Sequence, residues 1–198
     1  VRSNQLVEAV LDAAVQVLMK EGAQRFTTAR VAERAGVSVG SLYQYFPNKA
    51  AILFRLQSDE WQRTSALLRH ILEDRATPPL VRLRRLVHAF IRSECEEAAI
   101  RIALSDAAPL YRDAPEAIEA KAESAKVYRA FLQEVLPGVP DNARMLAGDL
   151  IKATLSGVGS SFSETPRTEP EIAAWSEAMA DMLCAYLERL IPQASTPV

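Results

Sequence analysis

Residues 27–46 read TTARVAERAGVSVGSLYQYF, and their spacing is that of two short helices joined by a three-residue turn. Thr27 or Thr28 can cap a helix that ends near Ala35, and Gly36 suits the left-handed position just beyond it. Ser38 can then cap a second helix that ends before Pro47. Ala32 is small where the two helices cross, and Val31, Val37 and Leu42 can form a buried triangle between them. The connector Gly36-Val37-Ser38 has the turn length of a helix-turn-helix. In that motif the second helix enters the major groove of DNA with its N-terminal residues toward the base edges.

The second helix carries an unusual set of surface groups. Ser41, Tyr43, Gln44 and Tyr45 form hydrogen bonds but bear no charge, and Gly40 lets the backbone approach a phosphate closely. The Gln44 amide can pair with adenine N6 and N7, and Ser41 can donate or accept. Lys49 brings a positive charge to the start of the next helix, whose N-terminus itself suits a phosphate. Phe46 reads as a core residue. Tyr43 and Tyr45 read as surface residues, since both cannot share the buried face of Leu42.

Outward from this segment the pattern is helical, with no clean period-two alternation. Leu6, Val10, Ala14, Val17 and Leu18 predict a helix from about Asn4 to Glu21, stopped by Gly22. Asn48 caps a long helix running through Trp61 toward Leu72. Thr77 and Pro78 are read as the cap and first residue of the next helix, whose stripe includes Leu80, Leu83, Leu86, Val87, Phe90 and Ile91. A short helix is expected within Ala98 to Asp113. Asp113 and Glu116 resemble a capping box opening a helix to about Leu136, and Pro137 to Pro140 form a turn. Two helices follow, about 142–162 and 169–190, the second opened by Thr168 and Glu171. The tail from Pro192 is expected to fray. The expectation is an all-α protein of about nine helices, with a helix-turn-helix head over 1–52 and a body over 53–198.

The chain has 198 residues, 49% apolar and 24% charged, which excludes disordered and collagen-like classes. Six bases (Arg2, Lys20, Arg25, Arg30, Arg34, Lys49) and four acids (Glu8, Asp12, Glu21, Glu33) give residues 1–52 a net of +2. The whole chain is −2, so the remainder is −4. A mildly basic head on an acidic body is compatible with DNA contact at one end. The longest run free of Asp, Glu, Lys and Arg, Ala35 to Asn48, is fourteen residues, short of the ~18 that a spanning helix needs. The N-terminus has no leader-like apolar block, and the two cysteines, Cys95 and Cys184, suit a reducing compartment. A cytoplasmic protein without membrane contact is the expectation.

The run from Gln5 to Leu56 resembles the DNA-binding domain of TetR-family transcriptional repressors. The resemblance rests on TT, then VAERAGVS, then G-S-LY-YF-NK in one register over a quarter of the chain. Carried over position by position, it implies phosphate contacts at Thr28, Tyr43, Tyr45 and Lys49. It further implies a recognition helix begun at Ser38 and reading DNA through Val39, Gly40, Ser41 and Gln44. Ala29 stands where some members have a base-contacting Arg, so that contact is absent. Its neighbour Arg30 suits either a phosphate contact or a solvated charge. The resemblance also implies a homodimer on a double-stranded operator, no cofactor, and release by a small-molecule effector bound in the body.

The last two helices carry a separate argument for association. The 169–190 segment is apolar over much of its girth, through Trp175, Met179, Met182, Leu183 and Tyr186 among others, and such a helix needs two partners. The 142–162 segment offers Leu146, Leu150 and Val158, with Gly157 and Gly159 permitting close approach. Two such helices per subunit suit an isologous four-helix interface. Burial of both within one subunit satisfies the same pattern. An effector pocket needs an apolar wall with a few polar anchors. Trp61, His88, Phe90, Cys95, Ile102, Tyr111, Tyr128 and Phe131 have that composition, and each also suits plain core.

Other readings have less support. Gly36-Val37-Ser38-Val39-Gly40 satisfies G-x-S-x-G, but a nucleophile elbow needs a strand before its serine. His70, His88, Cys95 and Cys184 lack metal-ligand spacing, so neither an enzyme nor a metal site is expected. A DNA-binding regulator that takes no small molecule, or one that activates, is the alternative to a ligand-released repressor.

Overall fold

A computed structural model describes residues 2–104 and 115–191; within these, side chains at 2–3, 23, 60–61, 99–104 and 115–123 fall outside the description. The described residues form eight α-helices and one 3-10 turn, with no strand. In chain order they are α1 (Arg2–Glu21), the 3-10 turn (Ala23–Arg25), α2 (Thr28–Ala35), α3 (Val39–Tyr43), α4 (Lys49–Glu73), α5 (Pro79–Leu104), α6 (Pro115–Val135), α7 (Asp141–Phe162) and α8 (Glu169–Leu190). The helix expected within 98–113 does not stand apart at its start: α5 runs on without a break through Leu104. The rest of that segment, and the tail from Pro192, lie outside the described residues.

The chain divides into two compact units, one of residues 1–62 and 97–117, the other of 63–96 and 118–198. The first is closed by a small core. Val10, Ala14, Val17 and Leu18 of α1 meet Phe26, Val31 and Ala32, then Leu42, Phe46, Ile52 and Leu56. Val31, Ala32 and Leu42 are fully buried, and Val37 packs against them from the turn.

The second unit has its own core. Leu83, Val87 and Ile91 of α5 pack with Phe131, Leu132 and Val135 of α6, Ala147, Ile151 and Leu155 of α7, and Ile172, Met179, Leu183 and Leu187 of α8. Two glycines bring helices together within it. A Cβ on Gly148 would stand 2.4 Å from Leu132 Cδ1, and one on Gly159 would stand 2.9 Å from Glu94 Cγ. Side chains at these positions would push α6 and α5 away from α7.

Buried Arg82 of α5 donates to the Leu72 carbonyl near the end of α4 and to Glu134 of α6. Its guanidinium lies 5.5 Å from the centre of the Phe131 ring. Carbonyls in the last turn of a helix lack intrahelical partners, so this guanidinium meets that need for α4. Contrary to the expectation from sequence, Thr77 does not cap α5. Its hydroxyl donates to Asp74 at 2.7 Å, and α5 begins two residues later at Pro79.

Candidate nucleic-acid interface

The starts of α2, α3 and α4 are each held by a side chain that accepts from the amide three residues on. The Thr27 hydroxyl accepts from the Arg30 amide at 3.3 Å to open α2. The Ser38 hydroxyl accepts from the Ser41 amide at 3.0 Å to open α3, and the Asn48 side chain accepts from the Ala51 amide at 2.9 Å to open α4. Between α2 and α3, Gly36 adopts φ 68° and its amide donates back to α2. That left-handed conformation is one which β-carbons disfavour, so glycine makes the turn sharp. The α3 helix is shorter than expected: it ends at Tyr43, and the Phe46 amide still reaches the Leu42 carbonyl at 2.9 Å.

Burial of Leu42 decides what α3 presents outward. With that side chain inside, Val39, Gly40, Tyr43 and Gln44 are exposed, and Ser41 is half-buried beside exposed Ser38. Tyr43 and Tyr45 keep 49% and 39% of their surface, whereas Phe46 keeps 6%. The two tyrosines are thus on the surface and the phenylalanine is in the core. Ser38 Oγ and Ser41 Oγ lie 2.8 Å apart. Since Ser38 also accepts the Ser41 amide, the pair is already ordered before any partner arrives. Thr28 Oγ1 and the Tyr43 hydroxyl lie 3.1 Å apart, joining α2 to the outer face of α3.

The charged groups of the head are arranged less simply. Lys49 is exposed at the first position of α4. Arg30 forms an exposed ion pair with Glu21 at the end of α1, so in the duplex-free head its charge is partnered. Arg34 donates to Gln16 at 2.9 Å. Neither Glu21 nor Gln16 stands out in the sequence, because their partners lie 9 and 18 residues away across a turn. The one clue to Glu21 is an acid at a helix C-terminus, where the dipole disfavours it. The G-x-S-x-G run spans a helix end, a turn and a helix start. Its Ser38 follows a helix and not a strand, which is not the geometry of a nucleophile elbow.

Of the residues proposed for a pocket, His88, Phe90, Cys95, Tyr128 and Phe131 belong to the second unit. Phe131 is buried, and Phe90, Cys95 and Tyr128 pack partly buried against the core. The Tyr128 hydroxyl donates to the Gly148 carbonyl at 3.0 Å. Burial, with the Asp149 charge behind it, pushes its phenol pKa well up. His88 lies away from this group, with Nε2 2.8 Å from Glu177 on the outer side of α5 and α8. Tyr111 and the side chains of Trp61 and Ile102 lie outside the described residues. Among the described residues no group of three metal-ligating side chains occurs, and no helix is long and apolar enough to cross a membrane.

The interface candidates separate into two sets. Leu146, Leu150, Trp175 and Met182 expose 66%, 48%, 49% and 52% of their surface. Val158 and Tyr186 are half-buried against the core of their own unit. Met179 and Leu183, read from the sequence as interface residues, are instead buried in that core, with Ile172 and Leu187 on the same face of α8. Both faces of α8 are apolar, and contact with α5 and α7 chooses which one turns inward.

A capped α2, a left-handed turn at Gly36 and an exposed polar α3 define a helix-turn-helix protein. Two family models match the chain: the one for bacterial regulatory proteins of the tetR family over residues 10–56, and the tetracyclin repressor-like C-terminal domain over residues 78–190. The chain belongs to the TetR family of transcriptional regulators. It is 35% identical over 85 residues to the nucleoid occlusion factor SlmA of Vibrio campbellii, covering 42% of this chain and 43% of that one. It is 40% identical over 57 residues to the HTH-type transcriptional repressor KstR of Mycolicibacterium smegmatis, covering 29% and 28%. The chain therefore spans less than half the length of these curated relatives. The fold extends much further. A transcriptional regulator of Rhodococcus sp. Rha1 superposes with a TM-score of 0.65 over 98% of this chain and 100% of its own, at 19% identity. The TetR-family regulator PfmR of Thermus thermophilus gives 0.64 over 89% and 97%, at 21% identity.

Proposed function

We propose that this regulator is a repressor that binds a palindromic operator as a homodimer and is released by a small-molecule effector. Residues 1–52 contact DNA, and 53–198 bind the effector and the second subunit. The observation that carries the DNA reading is the outward face of α3. Ser38, Val39, Gly40, Ser41 and Gln44 lie on it, the Thr28–Tyr43 hydroxyl pair flanks it, and Tyr45 and Lys49 follow close in the chain. Gln44 and Ser41 read base edges. Thr28, Tyr43, Tyr45 and Lys49 hold the phosphates that fix the helix in its groove. Such a protein works in the cytoplasm.

Association is supported by Gly157 together with the exposed apolar side chains of α7 and α8. Gly157 lies inside α7, and nothing comes within 4 Å of where its Cβ would stand. Glycine inside a helix costs about 1 kcal/mol relative to alanine, and packing within its own subunit does not require it. Close approach of a second α7 does, with Leu146, Leu150, Trp175 and Met182 supplying the apolar area. In a dimer the two α3 helices read half-sites about 34–36 Å apart, and an effector acts by binding unequally to states that differ in this spacing.

Selection of bound duplexes from a random library tests the first part of the reading, and a small-molecule screen against the recovered site tests the second. A palindromic site released by a compound is the expected result. An enriched site that no compound releases would leave a DNA-binding regulator without an effector, and no enriched site would overturn the operator reading.

A further inference from the structure

We infer that Glu21 is an intramolecular competitor for DNA, holding Arg30 in an ion pair that a phosphate must displace. The inference rests on the proposed DNA-binding role of the head. Arg30 is the third residue of α2 and stands two positions after Thr28, whose hydroxyl is paired with the exposed Tyr43. It therefore shares the first turn of α2 with Thr28, a proposed phosphate contact. Its guanidinium is turned back onto the Glu21 carboxylate, the last residue of α1.

Helix stability gives no reason for a carboxylate there. The C-terminal end of a helix is the negative end of its dipole, where an acid is disfavoured and a cation favoured. Neighbouring Lys20 fits that rule and Glu21 breaks it. The adjacent contact shows the contrast: Arg34 is tied to α1 through the neutral amide of Gln16, which orients its charge without cancelling it. Glu21 cancels the charge of Arg30. Both partners are well exposed, with side-chain exposures of 44% and 35%. An exposed pair of this kind is held weakly, so a phosphate, also an anion and one of a dense array, can take over the guanidinium. The head thus carries one cation in reserve, and its affinity for DNA of any sequence is lower than its count of bases implies.

The test is a double-mutant cycle on the full chain with Glu21→Gln, Arg30→Gln and both. Binding to a random-sequence duplex is measured by anisotropy over a series of salt concentrations. Glu21→Gln is expected to tighten binding at low salt by roughly two- to fivefold, the factor set by the strength of exposed ion pairs. The log–log salt slope should change little, because Arg30 meets its phosphate in both complexes, whereas Arg30→Gln should lower it by about 0.9. The gain should vanish when Arg30 is already Gln. A gain of the same size in the Arg30→Gln background would mean that Glu21 only repels the duplex, and would overturn the inference. No gain at all would overturn it too. If the wild-type chain and all variants bind no duplex, the DNA-binding reading fails first and takes the inference with it.

Discussion

Thr28 Oγ1 and the Tyr43 hydroxyl are 3.1 Å apart, so the first residue of α2 and the last of α3 present their oxygens as one unit. Fifteen residues separate them in the chain, and the Gly36 turn brings them together. Removing the Tyr43 hydroxyl frees the Thr28 side chain to rotate and takes away one donor. Tyr43→Phe should therefore weaken binding to operator and random duplex alike, by about two- to tenfold, the range for one hydrogen bond. The thermal unfolding midpoint should hardly move, because the pair is exposed. Competition binding on both duplexes, with a melting curve beside it, checks this. A loss confined to the operator would make Tyr43 a base-reading residue instead.

Gln44 and Lys49 are both exposed, yet different outcomes are expected on mutation. Gln44→Ala should cost about 1–3 kcal/mol on the operator and relax preference at one base position. Lys49→Ala should weaken all sequences equally and lower the log–log salt slope by about 0.9. Both follow from titrations of operator and random duplexes at several salt concentrations. Equal effects of the two substitutions on both duplexes would refute the assignment of Gln44.

For association, Trp175 and Leu183 give opposite expectations although they lie on the same helix. Trp175 stacks on Phe162 with ring centroids 4.6 Å apart and leaves half its surface exposed. Trp175→Asp should give folded monomers in sedimentation. Leu183 is buried, and Leu183→Asp should unfold the subunit by leaving an unpaired charge in its core. Gly157→Leu should separate subunits without loss of helix content, since its own subunit leaves room there. Dimers persisting in both Trp175→Asp and Gly157→Leu would place the interface elsewhere.

Several surface carboxylates give the fold an acid limit. The paired contacts from Arg92 hold the Glu169 carboxyl below its ordinary value of 4.5. The Thr168 amide and hydroxyl do the same for Glu171, and the Thr77 hydroxyl for Asp74. A carboxyl lowered in the folded state stabilises it above the unfolded pKa, and that contribution is lost as pH falls through the lower folded value. Wild type should melt above Glu169→Gln at about pH 6, with the gap closing as pH drops well below 4.5. A gap of constant size across that range would mean the glutamate acts through packing and not through its charge.

The head is legible in the sequence because its determinants are local. Thr27, Ser38 and Asn48 each cap the amide three residues on, and Gly36 sets a turn through its own backbone freedom. Each of these is a contact within one helical turn, so spacing alone identifies it. The buried triangle of Val31, Val37 and Leu42 follows from the same short spacing. The length of α5 is not readable in this way. Residues 98–104 carry no breaker that would end the helix and no stripe strong enough to prolong it, and the structure continues it to Leu104.

Choices between distant residues are settled by packing. From the pattern of α8 alone, Met179 and Met182, or Trp175 and Leu183, are equivalent apolar positions. Packing against α5 and α7 buries Met179 and Leu183 and leaves Met182 and Trp175 outside. Likewise, three glycines of α7 look alike in sequence. Gly148 and Gly159 meet neighbouring helices, while Gly157 meets nothing in its own subunit. The pairing of Arg30 with Glu21 belongs to the same class. Local sequence determines where the short helices of the head start, through caps at Thr27, Ser38 and Asn48. Side-chain partners are set by the meeting of whole helices, because a helix apolar or charged on more than one face has no preferred side until a neighbour supplies one.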